Sequence, residues 1–337
     1  MQLLRVAIRS VAAKKNVDSF TAFVFTFVKG NKVYLFCNKV TLNKHYVLKL
    51  AAIDIGSNAV RLQISAVLDG ANGPVFKKVE YVRFPLRLGQ DVFTEGSISE
   101  LAEQKFVKLM QAYKLLLELF EVDDYFACAT SAMRTAANGE ALAQKVLEQT
   151  GISINIINGE QEASYIDLAI TDTLDAGHYL HIDVGGGSTE LNLYHNHIKK
   201  ASESFSLGSV RNLQGKDSAA EWHALESWVK KHLEKINGKA LALGTGGNIS
   251  KLYNMAGKKT GQYLSLKKLQ ELRNYIDSLS VQDRIHKLQL NPDRADVIVP
   301  AADLYLKIMR WAGCTSIKVP AVGLKDGLLK HLYQQQN

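Results

Sequence analysis

An α/β protein of two similar domains with a ligand cleft between them is the architecture this 337-residue sequence predicts. Three observations carry the prediction. Apolar strands alternate with helical stretches from Leu48 onward, a strand–acid–glycine turn–strand unit occurs twice, and three strands run directly into glycine-rich turns. The length suits two domains with ample buried core.

The elements follow in order. KLAAIDIG reads as a buried strand ending in a turn, and AVRLQISAV as a second strand. In FTEGSISELAEQKFVKLMQAYKLLLELFEV, Ser97 and Glu100 form a capping box ahead of apolar residues at helical spacing through Phe120. DYFACAT is a short strand, with a helix following near Gly139 to Gln149. ISINIIN is another strand, leading into a helix at GEQEASYID. HYLHIDV repeats the strand-into-glycine pattern, with STELNLY as its hairpin partner. AEWHALESWVKKHLEKI is helical, ALALGTGGN a strand meeting a glycine turn, and ADVIVPAADLYLKIMRWAG helical. TSIKVP is a strand and GLKDGLLKHLYQQQ a closing helix. No low-complexity linker interrupts the chain, and the expected units are 49–165, 166–320 and a closing helix over 321–337 that packs back on the body.

The repeat matches Ile53-Asp54-Ile55-Gly56 with Ile182-Asp183-Val184-Gly185, placing Arg61 in register with Glu190. Counted from Asp54 to Asp183 the copies lie 129 residues apart, a domain's length. A duplicated domain with one phosphate-gripping turn in each copy would place its ligand between them.

Charge is informative once located. The net charge is +8, yet residues 1–50 hold nine Lys or Arg and a single acid, Asp18, so the remaining body is neutral. The excess says nothing about a basic groove on that body, and no nucleic-acid partner is expected. Three readings of the N-terminal extension, residues 1–48, are open. Translation starting nearer Lys49 is preferred; a hairpin about the KGNK turn in FTAFVFTFVKGNKVYLFCN comes second, and a transit peptide third. The apolar run Phe20 to Val28 is too short to span a bilayer. Three cysteines without a CxxC spacing argue against a disulfide framework and a zinc site. A cytoplasmic protein with no membrane partner is the expectation.

Glycine turns after strands suit phosphates, because a backbone without Cβ turns sharply and brings several N–H groups onto one anion. IDIGSN, IDVGGGST and ALGTGGN all fit. Asp54, Asp183 and Glu190 stand beside these turns. They serve either as turn caps or, with phosphate nearby, as carboxylates that need an intervening cation such as Mg²⁺. Arg134, in CATSAMRTAAN, is either a surface arginine at a helix start or a bidentate phosphate ligand. Glu162, in NGEQEASYI, lies in a first helical turn, where the dipole favours carboxylates. Its functional reading is a general base that orients and deprotonates water for in-line attack on phosphorus.

Together these motifs resemble the exopolyphosphatase and guanosine pentaphosphate phosphohydrolase family of the actin-like ATPase superfamily. The resemblance covers Lys49 to the end through AIDIGSNAVRL, RLGQDVF, ATSAMR, NGEQEA, IDVGGGSTEL, GTGGN, RADVIVPA and VGLKDGLL. It implies two actin-like (ribonuclease-H-like) domains, in a short form without C-terminal helical domains. It also implies Glu162 as the catalytic base, with Asp183, Glu190 and Asp54 organising Mg²⁺, for which Mn²⁺ can substitute. Ser57, Asn58, Arg134, Gly185, Gly186, Gly187, Ser188 and Gly246 would hold substrate. Ala59 and Asn248 depart from the family pattern. The implied reaction is hydrolysis of the terminal phosphoanhydride of inorganic polyphosphate; guanosine pentaphosphate is the alternative substrate, and a homodimer is an open expectation. A kinase or a nucleotide-switch protein of the same fold ranks behind these.

Overall fold

The computed structural model describes residues 47–336 except 72, 235 and 237–239, together with the backbone of four short strands nearer the N-terminus. Those strands are β1 (Thr21–Val24) paired antiparallel with β4 (Asn38–Thr41), and β2 (Phe27–Lys29) with β3 (Lys32–Tyr34), about the KGNK turn. The rest of the extension, on which the transit-peptide and late-start readings bear, lies outside the described residues.

Two sheets follow the same plan. The first is ordered β7-β6-β5-β8-β9, from β5 (Lys49–Ile55), β6 (Val60–Gly70), β7 (Gly73–Phe84), β8 (Asp124–Ala129) and β9 (Ile154–Ile156). The second is ordered β12-β11-β10-β13-β15-β14, from β10 (His178–Val184), β11 (Thr189–His195), β12 (Ile198–Phe205), β13 (Leu241–Thr245), β14 (Tyr263–Ser265) and β15 (Ser316–Lys318). In each, three antiparallel strands form a meander and the next strand joins its first member in parallel. The sequence repeat is thus a repeat of topology, and Asp54 faces Arg61 across β5–β6 as Asp183 faces Glu190 across β10–β11.

Several elements escaped the sequence reading. β7 lies at a sheet edge with Val75, Val79, Tyr81 and Phe84 exposed, so its residues carry no core alternation. Strand β12 and the helices Leu88–Glu95 and Leu266–Asp277 were likewise not anticipated. The predicted capping box at Ser97 and Glu100 is corrected. The helix Glu100–Leu119 is capped by Ser99, whose extended backbone lets its side chain accept from the Ala102 N–H.

Buried apolar residues form one cluster per sheet and a third beneath the closing helix. In the third, Leu324, Leu328 and Leu332 pack with Ile166 and Ile170 of the helix Gly159–Ile170. Gly327 makes the approach possible, since a Cβ there would stand 1.8 Å from the Tyr165 carbonyl oxygen. The closing helix Leu324–Gln336 therefore buttresses the element that carries Glu162. Among the described residues no helix is long and apolar enough to cross a membrane.

Candidate active site

A cleft of about 390 Å³ opens where the glycine turns of the two sheets meet. Both turns are held in the same way. Gly56 N–H donates to the Ala59 carbonyl, and Gly185 N–H to that of Ser188. The carbonyls of Ser57 and Asn58 are taken by Gly89 and Arg87, and those of Gly185 and Gly186 by Ser209, Val210 and Arg211. The Arg211 Nε also holds the Gly187 carbonyl at 3.0 Å, with its guanidinium over the Phe93 ring. Among the described residues nothing accepts the N–H groups of Ser57, Asn58, Gly186 and Gly187. Carbonyls tied back and N–H groups left over are what a backbone anion cradle requires.

The turns nearly touch. A Cβ on Gly186 would come within 2.9 Å of the Ser57 Cβ, and one on Gly187 within 2.3 Å of the Phe93 ring. Larger residues would push the domains apart. The third turn depends on Gly246, whose φ of 110° suits only glycine.

The repeat differs in what faces each aspartate. In the first domain Arg61 Nη1 pairs with Asp54 Oδ2 at 2.8 Å. Burial would lower the Arg61 pKa, but Asp54, Tyr81 and Asp183 outweigh it. In the second domain the arginine's place is taken by Glu190, so two carboxylates face each other. Burial pushes Asp183 up to about 6, the Asp54 charge adding to it while Thr245 opposes. Burial and then the Asp183 charge push Glu190 up to about 7, against hydrogen bonds from Ser188 and Ser204. Such a pair calls for a cation. Among the described residues no three His, Cys, Asp or Glu side chains gather as a metal site. Of the three carboxylates expected to organise a cation, Asp54 is paired with Arg61, while Asp183 and Glu190 face each other. Two carboxylates still fit Mg²⁺, which completes its shell with water and phosphate oxygens.

Glu162 faces this pair. Its helix begins with a capping box in which Asn158 and Gln161 satisfy each other's backbone N–H groups. The helix start packs on β12 so closely that a Cβ on Gly159 would lie 2.5 Å from the Ser204 Cβ. Ser204 in turn donates to Glu190 at 3.1 Å. One contact thus brings the two acids together. Glu162 is 8% exposed, and its Oε2 is buried without a hydrogen-bond partner. Burial, then Glu190 and Asp183, push its pKa well up, while Arg134 pulls it down.

Arg134 does not line the cleft wall. Its Nη1 donates to the Ile157 carbonyl at 2.6 Å and lies 4.0 Å from the Glu162 Oε2, which places it beside the acid. Asn58 lines the cleft but spends its amide on the Asp293 carbonyl at 2.9 Å, bridging the domains. Ser57, Gly185, Gly186, Gly187, Ser188 and Gly246 all line it, as does Asn248.

The sequence reading missed the cationic wall. Arg61, Arg83, Lys251 and Arg294 line the cleft as well. The guanidinium nitrogens of Arg294 and Arg61 lie 3.4 and 3.8 Å from where a Gly247 Cβ would stand. Burial and the neighbouring Arg83 lower the Arg294 pKa. Arg61 had a sequence signal, its register with Glu190, and Arg294 opens the RADVIVPA motif without being singled out there; Arg83 on an edge strand had none. Carboxylates at one side and arginines at the other suit a substrate carrying several phosphates, one at the acids and the next at the arginines.

Residues 64–336 match the model of the Ppx/GppA phosphatase family. Exopolyphosphatase 1 of Mycobacterium tuberculosis is 24% identical over 306 residues, covering 84% of this chain and 87% of that protein. Guanosine-5'-triphosphate,3'-diphosphate pyrophosphatase of Aeromonas hydrophila is 26% identical over 83% of this chain, which spans only 58% of that protein. Among solved structures, the Aquifex aeolicus member of the Ppx/GppA family superposes with a TM-score of 0.69 at 26% identity, covering 87% of this chain and 99% of that one. A Cytophaga hutchinsonii exopolyphosphatase, at 21% identity, shares the fold with a TM-score of 0.74 over 85% of this chain and 98% of that one. The two-sheet architecture is the actin-like fold of these structures.

Proposed function

This chain belongs to the Ppx/GppA phosphatase family, a family of phosphoanhydride hydrolases, and from that premise we propose that it is an exopolyphosphatase. It hydrolyses the terminal phosphoanhydride of inorganic polyphosphate and releases orthophosphate. One observation carries the reading: the Glu162 Oε2 is buried at a phosphate cradle with no hydrogen-bond partner. A carboxylate so placed can accept a proton from water and aim it in line at a terminal phosphorus. Its raised pKa makes it a stronger base than an exposed glutamate.

The other residues divide the remaining work. The two glycine turns bind the terminal phosphoryl oxygens, and Arg61, Arg83 and Arg294 take the phosphates behind it. Arg134 holds Glu162 in position from the side. Asp183 and Glu190 would hold Mg²⁺, which when bound offsets the negative charge of the phosphate oxygens. Mn²⁺ substitutes in this scheme, and the protein works in the cytoplasm.

Guanosine pentaphosphate is the second reading, supported by the name of the Aeromonas hydrophila relative. The test is phosphate release from polyphosphate and from guanosine pentaphosphate by wild type and Glu162→Gln. Loss of less than roughly 100-fold in the variant contradicts the general base. Equal kcat/KM on the two substrates overturns the choice of polyphosphate. ADP formation with an added acceptor would point instead to a kinase.

A further inference from the structure

Behind the acids a second row of polar side chains crosses the same face of the second sheet. Cross-strand register puts Ser204, Glu190, Asp183 and Thr245 in a front row, with Ser202, Asn192 and His181 directly behind. His181 and Asn192 are fully buried, and Thr245 is 1% exposed. Apolar residues would fill such positions at lower desolvation cost, so a buried imidazole and amide stand out.

The hydrogen bonds of this row run in one direction. The Ser202 hydroxyl donates to the Asn192 Oδ1 at 2.6 Å. The Asn192 amide is thereby turned to donate to the His181 Nδ1 at 3.0 Å. With Nδ1 accepting, the ring proton resides on Nε2, which lies 2.8 Å from the Thr245 Oγ1 and donates to it. The Thr245 proton then has the neighbouring Asp183 carboxylate as its acceptor, and the two residues are Cα partners on parallel strands.

We propose that His181 is a positioning residue for Asp183: Asn192 and Ser202 hold it as the Nε2–H tautomer, and it aims the Thr245 hydroxyl at the Asp183 carboxylate. The inference rests on the reading of Asp183 as a cation ligand. It adds a support that neither the glycine turn nor the acid pair supplies. Without the His181 donor, Thr245 can satisfy its own oxygen only by turning, and Asp183 loses its fixed rotamer. Groups that orient a metal ligand from behind typically change metal affinity by 10–100-fold when removed.

The test uses the full chain and Mn²⁺ as probe, with binding followed by calorimetry. His181→Leu is expected to weaken Mn²⁺ binding about 10-fold or more. His181→Gln offers an amide N–H near the position of Nε2–H, and should bind within about threefold of wild type. Long-range ¹H–¹⁵N spectra of histidine-labelled protein, assigned by the signal lost in His181→Gln, should show the Nε2–H tautomer. Wild-type binding by His181→Leu, or an Nδ1–H tautomer, overturns the proposal. A structural role alone would lower Tm in both variants while leaving Mn²⁺ binding unchanged, which also overturns it. Should His181→Leu not fold, Thr245→Val against Thr245→Ser replaces it: Val must weaken binding and Ser retain it, and equal binding is again a refutation. If wild type itself binds no Mn²⁺, the cation reading of Asp183 falls, and the tautomer spectrum alone decides the direction of the relay.

Discussion

Replacing Glu190 with glutamine removes one buried negative charge while keeping the shape of the side chain and its acceptor oxygen for Ser204. The carboxyl is 1% exposed, and its pKa rises from 4.5 to about 7 on folding, chiefly through burial and then through Asp183. The sign follows from linkage. Between these values the folded chain holds a proton that the unfolded chain has released, so wild type loses stability as pH rises from about 4.5 through 7. At 1.36 kcal/mol per pH unit the full loss is about 3 kcal/mol. Glu190→Gln escapes it. In EDTA the variant should match wild type at pH 4.5 and exceed it by up to about 3 kcal/mol at pH 8, read from urea unfolding at both pH values. Mg²⁺ should stabilise wild type at pH 8 and leave the variant nearly unmoved. Equal stability at pH 8, or a gain confined to low pH, would refute the claim that Glu190 is an ionised, strained ligand awaiting a cation. Phosphate release by the same variant should be severely reduced, since stability gained by removing a functional charge is lost to activity.

Other perturbations follow from the same geometry. Gly327→Ala forces a Cβ into the Tyr165 carbonyl and should cost roughly 1–3 kcal/mol, seen as a lower Tm together with reduced kcat, because the displaced helix carries Glu162. Arg294→Ala should raise KM for polyphosphate about 10-fold or more with Tm little changed, as it contributes charge to the cleft and has a half-buried guanidinium. The rate should fall as pH drops through the raised Glu162 pKa; Arg134→Met should move that limb to higher pH, because Arg134 holds the pKa down. Asp293→Ala strands Arg83 at the domain junction while leaving the Asp293 carbonyl to Asn58, and should destabilise by about 3 kcal/mol or more in urea unfolding.

Much of this protein is local and therefore legible in sequence. The strand–glycine turns at Asp54 and Asp183 announce themselves through short-range pattern, and so does the helix start that carries Glu162, though not its Asn158 cap. Duplication was visible as a 129-residue offset, and with it the two-domain plan. Edge strand β7 was not, because its solvent-facing residues obey no burial rule, and Ser97 was mistaken for the cap that Ser99 provides.

What tertiary structure alone decided is which charges meet. Asp54 and Asp183 look alike in sequence, yet one is neutralised by Arg61 and the other confronts Glu190. In sequence Arg134 is either a surface arginine or a phosphate ligand, and the fold stands it beside Glu162. Arg83 and Arg294 come from segments 211 residues apart and still share one wall of the cleft. Local pattern determines where a chain turns and coils, since those preferences act over a few residues. Electrostatic partnership acts over a few ångströms of space, which only the folded pairing of distant strands and helices defines.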